Sequence, residues 1–254
     1  MRFDVVTLFP EIFSAVRDCG ITARARMRGL WSINCWNPRD TATDLHRTID
    51  DRPFGGGPGM VMMAEPLAQT IDAVRASGNC GRVLSFAPNG ARLTDARVRE
   101  IAAAKEPIVL VCGRYEGIDE RFLESYVDEV VSLGDFVLSG GELPACALID
   151  AVVRQLPGAI KDLSASDESF ATGLLDAPHY TRPEVWRGMP VPDVLLSGQH
   201  KNIGKWSREK SLALTLRTRP DLIRIADSSG LLTREDVKFL RTMGAKNISE
   251  GRRS

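Results

Sequence analysis

The strongest constraint on the fold is a regular alternation of predicted strands and helices between residues 82 and 155. Three segments rich in apolar and β-branched residues are typical of strands: Arg82–Phe86, Pro107–Val111 and Glu129–Ser132. Three helical segments follow them in turn: Thr94–Ala104 with Thr94 as N-cap, Asp119–Tyr126 and Pro144–Gln155. This alternation predicts an α/β domain with a mostly parallel sheet, because parallel strands need crossover connections that are usually helical.

The residues that precede this alternation extend the same predicted domain. Two more strands are predicted, at Arg2–Leu8 and Leu30–Trp36. Three more helices are predicted, at Pro10–Arg17, Ile21–Arg28 and Glu65–Ala76. Arg52–Met60 is so rich in Gly and Pro that we predict no regular structure there.

The C-terminal third has a different pattern. Beyond Arg182 the strand signal disappears, and Thr233 begins a segment with a capping-box pattern. Helices are predicted at Gln199–Arg219, Pro220–Ala226 and Thr233–Met243. We therefore predict an α/β domain over residues 1–160 and a small helical domain over 173–246. A flexible linker is expected over 161–172, within the unperiodic stretch Pro157–Thr172, and a disordered tail over 247–254.

Composition favours a cytoplasmic globular protein. Of the 254 residues 43% are hydrophobic, enough for a sizeable core, yet no apolar run approaches the roughly 18 residues of a membrane span. The N-terminus has no signal-peptide pattern. The five cysteines are scattered and form no C-x-x-C pair, so we expect buried free thiols in a reducing compartment. The three histidines are too far apart to indicate a zinc site.

The formal net charge is zero, but the charges are unevenly distributed. Glu116–Asp150 contains nine acidic residues and one arginine. Arg182–Arg224 contains nine Lys and Arg residues against four Asp and Glu. The basic segment allows a polyanionic partner, although such clusters are often only solvated surfaces.

Leu133–Pro144, between a predicted strand and helix, has the composition of a ligand-binding loop. It contains two Gly-rich turns around a short apolar run, and Gly lets backbone amides approach a ligand closely. Pro144 is expected at the first helical position. Ala87–Gly90 and Cys112–Gly117 carry similar turn chemistry at two other predicted strand-to-helix junctions. Because such loops converge at the carboxyl ends of parallel strands, we expect the three to wrap one small polar ligand.

The common phosphate-binding motifs do not explain these loops. The sequence contains no G-x-x-x-x-G-K-[ST] motif, which argues against a P-loop. No G-x-G-x-x-G follows the first predicted strand, which argues against an ordinary dinucleotide site.

Four motifs in one order give the chain a recognisable resemblance: Asp51–Met63, Gly113–Asp119, Leu133–Pro144 and Gly173–Pro183. They closely resemble the bacterial tRNA (guanine-N1)-methyltransferase family, and the resemblance runs from Met1 to about Met243. It implies a SPOUT-type parallel sheet in which the three loops form a deep trefoil knot that binds S-adenosyl-L-methionine. It also implies a homodimer with the active site at the subunit interface. The substrate it implies is tRNA, methylated at N1 of the guanine just 3′ of the anticodon when another guanine precedes it.

The resemblance assigns the methyl donor to a pocket built mainly from backbone groups. Its glycines let the backbone come close, its prolines fix the loop shapes, and Glu116 is expected at the amino groups of the donor. The residues assigned to this pocket are Pro88, Gly113, Glu116, Leu133, Gly134, Asp135, Phe136, Val137, Leu138, Gly140, Gly141 and Pro144.

Methylation of guanine N1 needs a base, because that nitrogen carries a proton at neutral pH, and a cation near O6. The resemblance implies Arg154 as the cation. Where the family usually has Asp-Ser-Phe, this chain has Glu168-Ser169-Phe170, so we expect Glu168 as general base with Asp167 as the alternative. Asp176 matches a further family carboxylate and is expected to orient Arg154 or the tRNA. His179 is expected to be a packed residue.

The tRNA is expected to contact basic residues of the helical domain. Lys201, Lys205 and Arg208 are spaced to lie on one side of a helix, with Trp206 between them. Arg52 is expected to add a contact from the first domain. The family is associated with Mg²⁺, but the sequence shows no carboxylate cluster typical of a dedicated metal site.

Two other functions stay open on the sequence alone. One is a SPOUT methyltransferase that acts on ribosomal RNA or on a ribose 2′-OH. A ribose enzyme would not need the carboxylate of Glu168, which argues against it. The other is a non-catalytic RNA-binding protein with a vestigial pocket, and the intact glycine loops together with Arg154 argue against that.

Overall fold

The computed structural model describes residues 1–160, 168–245 and 248, and the chain divides into two compact units, 1–162 and 163–254. Unit 1 is built on a five-stranded sheet. The strands of this sheet are β1 (Arg2–Val6), β2 (Ser32–Trp36), β5 (Arg82–Arg92), β6 (Ile108–Val111) and β7 (Glu129–Ser132), and a separate pair is formed by β3 (Asp50–Asp51) and β4 (Val61–Met62). The five strands of the sheet run parallel in the order β2–β1–β6–β5–β7, as the predicted parallel sheet requires.

Helices cover both faces of this sheet. They are α1 (Ser14–Arg17), α2 (Gly20–Met27), α3 (Ala64–Ala76), α4 (Asp95–Ala104), α5 (Glu120–Tyr126) and α6 (Glu142–Gln155). Alternate strand residues point to opposite faces: Leu110 packs in the core beneath α1, α2, α4 and α6, whereas Val109 and Val111 pack beneath α3 and α5. All four residues of β6 are buried, which explains its uninterrupted apolar sequence.

Two boundaries near the glycine loops differ from the prediction. Helix α6 begins at Glu142, so Pro144 is its third residue and not its first. Proline is tolerated there because the first four N–H groups of a helix have no intrahelical acceptor. Strand β5 continues to Arg92, so Ala87–Gly90 is not a strand-to-helix junction.

The segment Ala87–Gly90 is an excursion within the pairing of β5 with β7. Phe86 and Ala91 are both in register with Val131, so the residues between them loop out of the sheet. A Cβ atom on Gly90 would lie 2.6 Å from the carbonyl carbon of Val130. Glycine therefore allows β5 to return to β7 after the excursion.

The Gly- and Pro-rich segment Arg52–Met60 has no helix or strand, as predicted. The sequence did not predict the two strands at its ends, β3 and β4, which pair antiparallel. A strand of two residues shows no alternation, so periodicity cannot detect it.

Unit 2 consists mainly of helices in its described residues. They are α7 (Asp193–Leu196), α8 (His200–Thr218), α9 (Pro220–Ser228) and α10 (Arg234–Thr242), and a hairpin of β8 (Val185–Trp186) and β9 (Met189–Pro190) precedes them. The prediction of no strand beyond Arg182 is therefore wrong, for the same reason of strand length. The capping box of Thr233 and Asp236 is confirmed. Leu174, Leu212 and Leu240 form part of the core of this unit.

The predicted linker can be compared only at its ends, because residues 161–167 lie outside the described residues. Ala159 is buried in the core of unit 1, and Arg28 donates a hydrogen bond to the carbonyl of Gly158 at 2.5 Å. Phe170 N donates to the carbonyl of Leu174 at 2.6 Å within unit 2. Both described ends of Pro157–Thr172 are thus hydrogen-bonded parts of the two units. The predicted tail, 247–254, lies outside the described residues except for Ile248.

The cysteines are free thiols, as predicted, but most are not fully buried. Cys112 is buried, Cys35 and Cys146 are half-buried, and Cys19 and Cys80 are exposed. Burial, with a smaller effect of Glu142, raises the pKa of Cys112, and burial raises the pKa of Cys146 to about 11. These two thiols therefore stay neutral near pH 7 and are not nucleophiles.

Asp4 of β1 is a fully buried carboxylate that we expect to matter for stability. It accepts hydrogen bonds from Arg2, Asn34, Trp36 and Asn79. Burial raises the pKa of Asp4, but these hydrogen bonds outweigh burial and hold it below the usual 3.8. Asp4→Asn should therefore lower the free energy of unfolding by roughly 2–3 kcal/mol, measured by urea denaturation near pH 7.

The pH dependence gives this prediction its sign. Because the pKa of Asp4 is depressed in the folded state, its contribution is complete above pH 3.8 and is lost as the pH falls through the folded value. The difference between wild type and Asp4→Asn should therefore shrink below about pH 4. Asp18→Asn removes an exposed partner of Arg17 and should leave stability nearly unchanged. Equal losses in the two variants would show that the Asp4 network is not stabilising.

Candidate active site

A cavity of about 490 Å³ lies at the carboxyl ends of the strands in unit 1. It is lined by the excursion in β5, the segment after β6 and the segment after β7, so the predicted convergence of three loops is observed. Its volume is in the usual range for small-molecule sites. Eleven of the twelve residues assigned to the donor pocket line it: Pro88, Gly113, Glu116, Leu133, Gly134, Phe136, Val137, Leu138, Gly140, Gly141 and Pro144.

Asp135 is the pocket residue that the cavity does not include. Its carboxylate forms an ion pair with Arg92 at 2.9 Å, and its side chain is 90% exposed. Phe136 N donates a hydrogen bond of 2.9 Å to the carbonyl of Gly134, and this tight turn leaves Asp135 exposed between two residues that line the cavity. We therefore leave Asp135 out of the site.

The segment after β7 must cross the end of β5 to reach its observed position. In the sheet, β5 lies between β7 and β6. Gly141 N nevertheless donates a hydrogen bond of 2.9 Å to the carbonyl of Gly113, which follows β6. The two loops that form opposite walls of the cavity are thus joined directly through their backbones.

Neighbouring protein atoms crowd two of the glycines in these walls. A Cβ atom on Gly141 would lie 2.7 Å from the Cα of Cys112 and 3.1 Å from the N of Gly113. On Gly134 it would lie 2.9 Å from the ring of Phe136. At Gly141 the close approach is between the two loops themselves, and the role of these glycines toward a ligand stays a prediction.

The charged residues that line the cavity are mainly acidic. Glu116, Glu120 and Glu124 contribute carboxylates against the single guanidinium of Arg114. A lining of this kind attracts an organic cation and repels phosphate. The segment Arg52–Met60 packs against one of these acids. A Cβ atom on Gly59 would lie 2.5 Å from Cγ of Glu116, so glycine leaves the space that the Glu116 side chain occupies.

A buried ion pair beneath the cavity was not predicted from the sequence. Glu142, 1% exposed, lies with Oε2 2.9 Å from Nε of Arg114. Its other oxygen accepts a hydrogen bond from Thr7 Oγ1 at 3.0 Å. The one available signal was an acid at the start of a helix, where the helix dipole favours negative charge.

Arg154 does not line the cavity of its own chain. It is a half-buried residue in the last turn of α6, whereas the cavity lies at the first turn. The helix rises 1.5 Å per residue, so Arg154 lies about 18 Å along the axis from Glu142. An arginine side chain cannot span that distance to the cavity.

The carboxylates proposed for catalysis belong to unit 2. Glu168 is half-buried and begins a turn in which Ala171 N donates to its carbonyl at 3.1 Å. Asp176 N donates to Ser169 Oγ at 2.9 Å, which brings the backbone of Asp176 to this turn. Asp167 lies outside the described residues. His179 is 83% exposed and hydrogen-bonds Asp176 at 2.8 Å, so the expectation that it is packed is wrong.

The predicted RNA-binding residues differ in their surroundings. Lys201 and Lys205 are exposed on α8, and Arg52 is exposed in unit 1. Arg208 instead donates two hydrogen bonds to Asp236, at 3.0 and 2.9 Å. Burial raises the pKa of Asp236, but Arg208 and Thr233 together hold it below its usual value. Arg208 therefore joins α8 to α10, and we no longer assign it to RNA.

Two further features bear on the kind of protein this is. Within the described residues, no three His, Cys, Asp or Glu side chains are grouped so that they could hold a metal ion. None of the helices in the described part of the chain is long and apolar enough to cross a membrane.

The fold and cavity together define an α/β protein with a cavity of small-molecule size and mainly acidic charged lining at the carboxyl edge of a parallel sheet. The family described as "tRNA (Guanine-1)-methyltransferase TrmD" matches residues 1–225. The chain belongs to this family, which is a family of methyltransferase enzymes.

Relatives with established names agree with this assignment. The tRNA (guanine-N(1)-)-methyltransferase of Janthinobacterium sp. (strain Marseille) is 56% identical over 250 residues, covering 96% of this chain and 100% of the relative. The protein of the same name from Thiobacillus denitrificans is 61% identical over 231 residues, covering 89% and 98%. That from Burkholderia cenocepacia (strain HI2424) is 56% identical over 258 residues, covering 98% and 97%.

Proposed function

We propose that this enzyme transfers a methyl group from S-adenosyl-L-methionine to N1 of the guanine just 3′ of the anticodon of tRNA. The observation that carries the proposal is the acidic lining of the cavity. The donor has a sulfonium and an amino group against one carboxylate, so its net charge is positive. Glu116, Glu120 and Glu124 favour such a ligand, and the apolar side chains of Leu133 and Leu138 suit an adenine ring.

The donor supplies a methyl group on a positively charged sulfur, and the protein supplies proton transfer and charge stabilisation. Glu168 takes the N1 proton of guanine, which makes that nitrogen a nucleophile. Arg154 stabilises the negative charge that develops on O6. Asp176, which hydrogen-bonds His179, has the role of orienting the tRNA or Arg154 in this proposal.

We further propose a homodimer in which both subunits contribute to each active site. Arg154 is too far along α6 to serve the cavity of its own chain, so a second subunit must supply it. Phe136, Val137 and Leu143 are 54%, 84% and 56% exposed, an unusual display of apolar side chains beside a cavity. The crossing of the segment after β7 past the end of β5 supports the deep trefoil knot.

The remaining parts of the proposal concern organisation. Residues 1–160 bind the donor and 173–246 bind tRNA, with a linker over 161–172 and a tail over 247–254. The enzyme acts in the cytoplasm, where its tRNA substrate is found. The Mg²⁺ associated with the family is not assigned to particular residues, because no three His, Cys, Asp or Glu side chains in the described part of the chain are grouped to hold a metal ion.

In-vitro methylation tests the function directly. A tRNA transcript with guanines at and before the position 3′ of the anticodon is incubated with enzyme and labelled donor, and the modified nucleotide is mapped. We expect N1-methylguanine at that position, and no product when the guanine that precedes it is replaced by adenine. A ribose-methylated product or modification elsewhere would contradict the proposal.

The affinity for tRNA should fall steeply with salt, because lysine–phosphate contacts release bound counterions. Lys201→Gln/Lys205→Gln should weaken binding and reduce the slope of log affinity against log salt by about 1–2. Fluorescence anisotropy between about 50 and 200 mM salt measures this. Lys105→Gln, an exposed lysine of unit 1, is the matched control and should keep the wild-type slope. An affinity that stays flat across the titration would rule out these contacts.

A further inference from the structure

We propose that Arg114 and Glu142 are positioning residues for the donor cavity. Their buried ion pair fixes the segment after β7 against the segment after β6, and so sets the distance between two cavity walls. The inference rests on the proposed binding of S-adenosyl-L-methionine. Neither residue is assigned to the reaction itself.

The pair joins three chain segments that are distant in sequence. Glu142 opens α6, Arg114 follows β6, and Thr7 follows β1. Oε2 of Glu142 lies 2.9 Å from Nε of Arg114, and Oε1 accepts the hydrogen bond from Thr7. The guanidinium also donates to the carbonyl of Ser139 at 3.2 Å and lies over the ring of Phe9, 4.3 Å from its centroid.

Position 140 has no room for a side chain, because the ion pair occupies the adjacent space. A Cβ atom there would lie 2.6 Å from Cδ of Arg114 and 2.7 Å from Oε2 of Glu142. Gly140 also lines the cavity. The backbone that forms the wall therefore rests directly on the ion pair, and a displacement of either charged side chain is transmitted to the wall.

The position of the pair explains why the segment needs such a fixed point. After β7, at the edge of the sheet, the chain passes β5 and reaches β6, with no strand pairing of its own along the way. The backbone hydrogen bond from Gly141 to Gly113 supplies one connection. The ion pair supplies a second connection between the two segments. Because Glu142 is buried, its charge needs the opposite charge of Arg114 nearby. Loss of either partner should loosen both walls.

A double-mutant cycle tests the inference by calorimetric titration with S-adenosylhomocysteine, well below the unfolding temperature. Glu142→Gln and Arg114→Gln should each weaken binding at least about tenfold, because Arg114→Gln leaves the buried Glu142 carboxylate without its cation and Glu142→Gln removes the anion that holds the Arg114 guanidinium at the wall. The double variant should bind S-adenosylhomocysteine no more weakly than the single variant that has the lower affinity. In steady state, KM for the methyl donor should rise while kcat at saturating donor changes less than about threefold.

The matched control breaks another ion pair on the same segment. Arg92→Gln removes the exposed partner of Asp135, which does not line the cavity, and should leave donor affinity unchanged. Thr7→Val keeps both charges and removes the hydroxyl that donates to Glu142 and accepts from Phe9 N, so it tests the inference if Glu142→Gln does not fold. It should weaken binding measurably, by about threefold or more.

The outcomes separate positioning from a general role in stability. Single variants that melt at lower temperature but bind S-adenosylhomocysteine within twofold of wild type would overturn the inference, and so would an unchanged affinity in Thr7→Val. Wild-type protein that fails to bind S-adenosylhomocysteine would overturn the proposed function, and this inference with it.

Discussion

Glu168→Gln should lower the single-turnover rate of tRNA methylation about 10²–10⁴-fold, the usual contribution of a general base. Glutamine keeps the size of the side chain but cannot accept the N1 proton. The affinity for S-adenosylhomocysteine should not change, because Glu168 does not line the donor cavity. Rapid-quench kinetics with enzyme in excess over labelled tRNA measure the chemical step without product release.

The neighbouring carboxylate provides the matched control. Asp167→Asn should keep the rate within about threefold of wild type if Glu168 is the base. The Glu168→Gln rate should rise steeply between pH 7 and 9, as solvent removes the N1 proton that the side chain no longer takes. A loss of less than about threefold in Glu168→Gln would show that the assignment is wrong, and a large loss in Asp167→Asn would move the base to that residue.

Gly141→Ala should weaken the binding of S-adenosylhomocysteine by about 10–100-fold, since overpacking costs roughly 1–3 kcal/mol. Its Cβ would lie 2.7 Å from the Cα of Cys112, and the atom it meets is backbone, which cannot rotate away. The two loops must separate, and the hydrogen bond from Gly141 to Gly113 is strained with them. Isothermal titration calorimetry measures the loss.

Gly204→Ala is the control for the added methyl group. Gly204 lies within α8, and a Cβ atom there would meet no atom within 4 Å beyond the adjacent backbone of its own helix. Alanine is favoured over glycine in a helix by about 0.5–1 kcal/mol, so this variant should be slightly more stable and bind the donor analogue normally. Donor affinity in Gly141→Ala equal to that of Gly204→Ala would contradict the close packing of the two loops.

Local sequence signals predicted most of the individual elements. Strand β6 was predicted as Pro107–Val111 and found at Ile108–Val111, because an uninterrupted apolar run suits a strand buried on both faces. Thr94 was predicted as a helix N-cap, and its side chain accepts a hydrogen bond from Arg97 N. Such features depend on neighbours in sequence, so the sequence contains the information that predicts them.

Long-range contacts changed the interpretation of particular residues. Arg208 was predicted to bind RNA from its position on a helix, but Asp236 of another helix engages it. Asp135 was predicted in the donor pocket, but it faces solvent, where it pairs with Arg92. In both cases the surroundings that the tertiary structure gives the side chain decide the outcome, and spacing alone cannot identify them.

The sequence by itself determined the parallel α/β class, the three glycine-containing loops and, through four motifs in order, the methyltransferase family. The first two follow from periodicity and turn chemistry, which are local, and the family follows from the resemblance of the four motifs to known members. Only the tertiary structure decided that β5 separates β7 from β6, that the segment after β7 rests on the Arg114–Glu142 pair, and that Arg154 lies too far along α6 to reach its own cavity. Strand order and buried ion pairs depend on which distant segments pack together, and many arrangements satisfy the same local pattern.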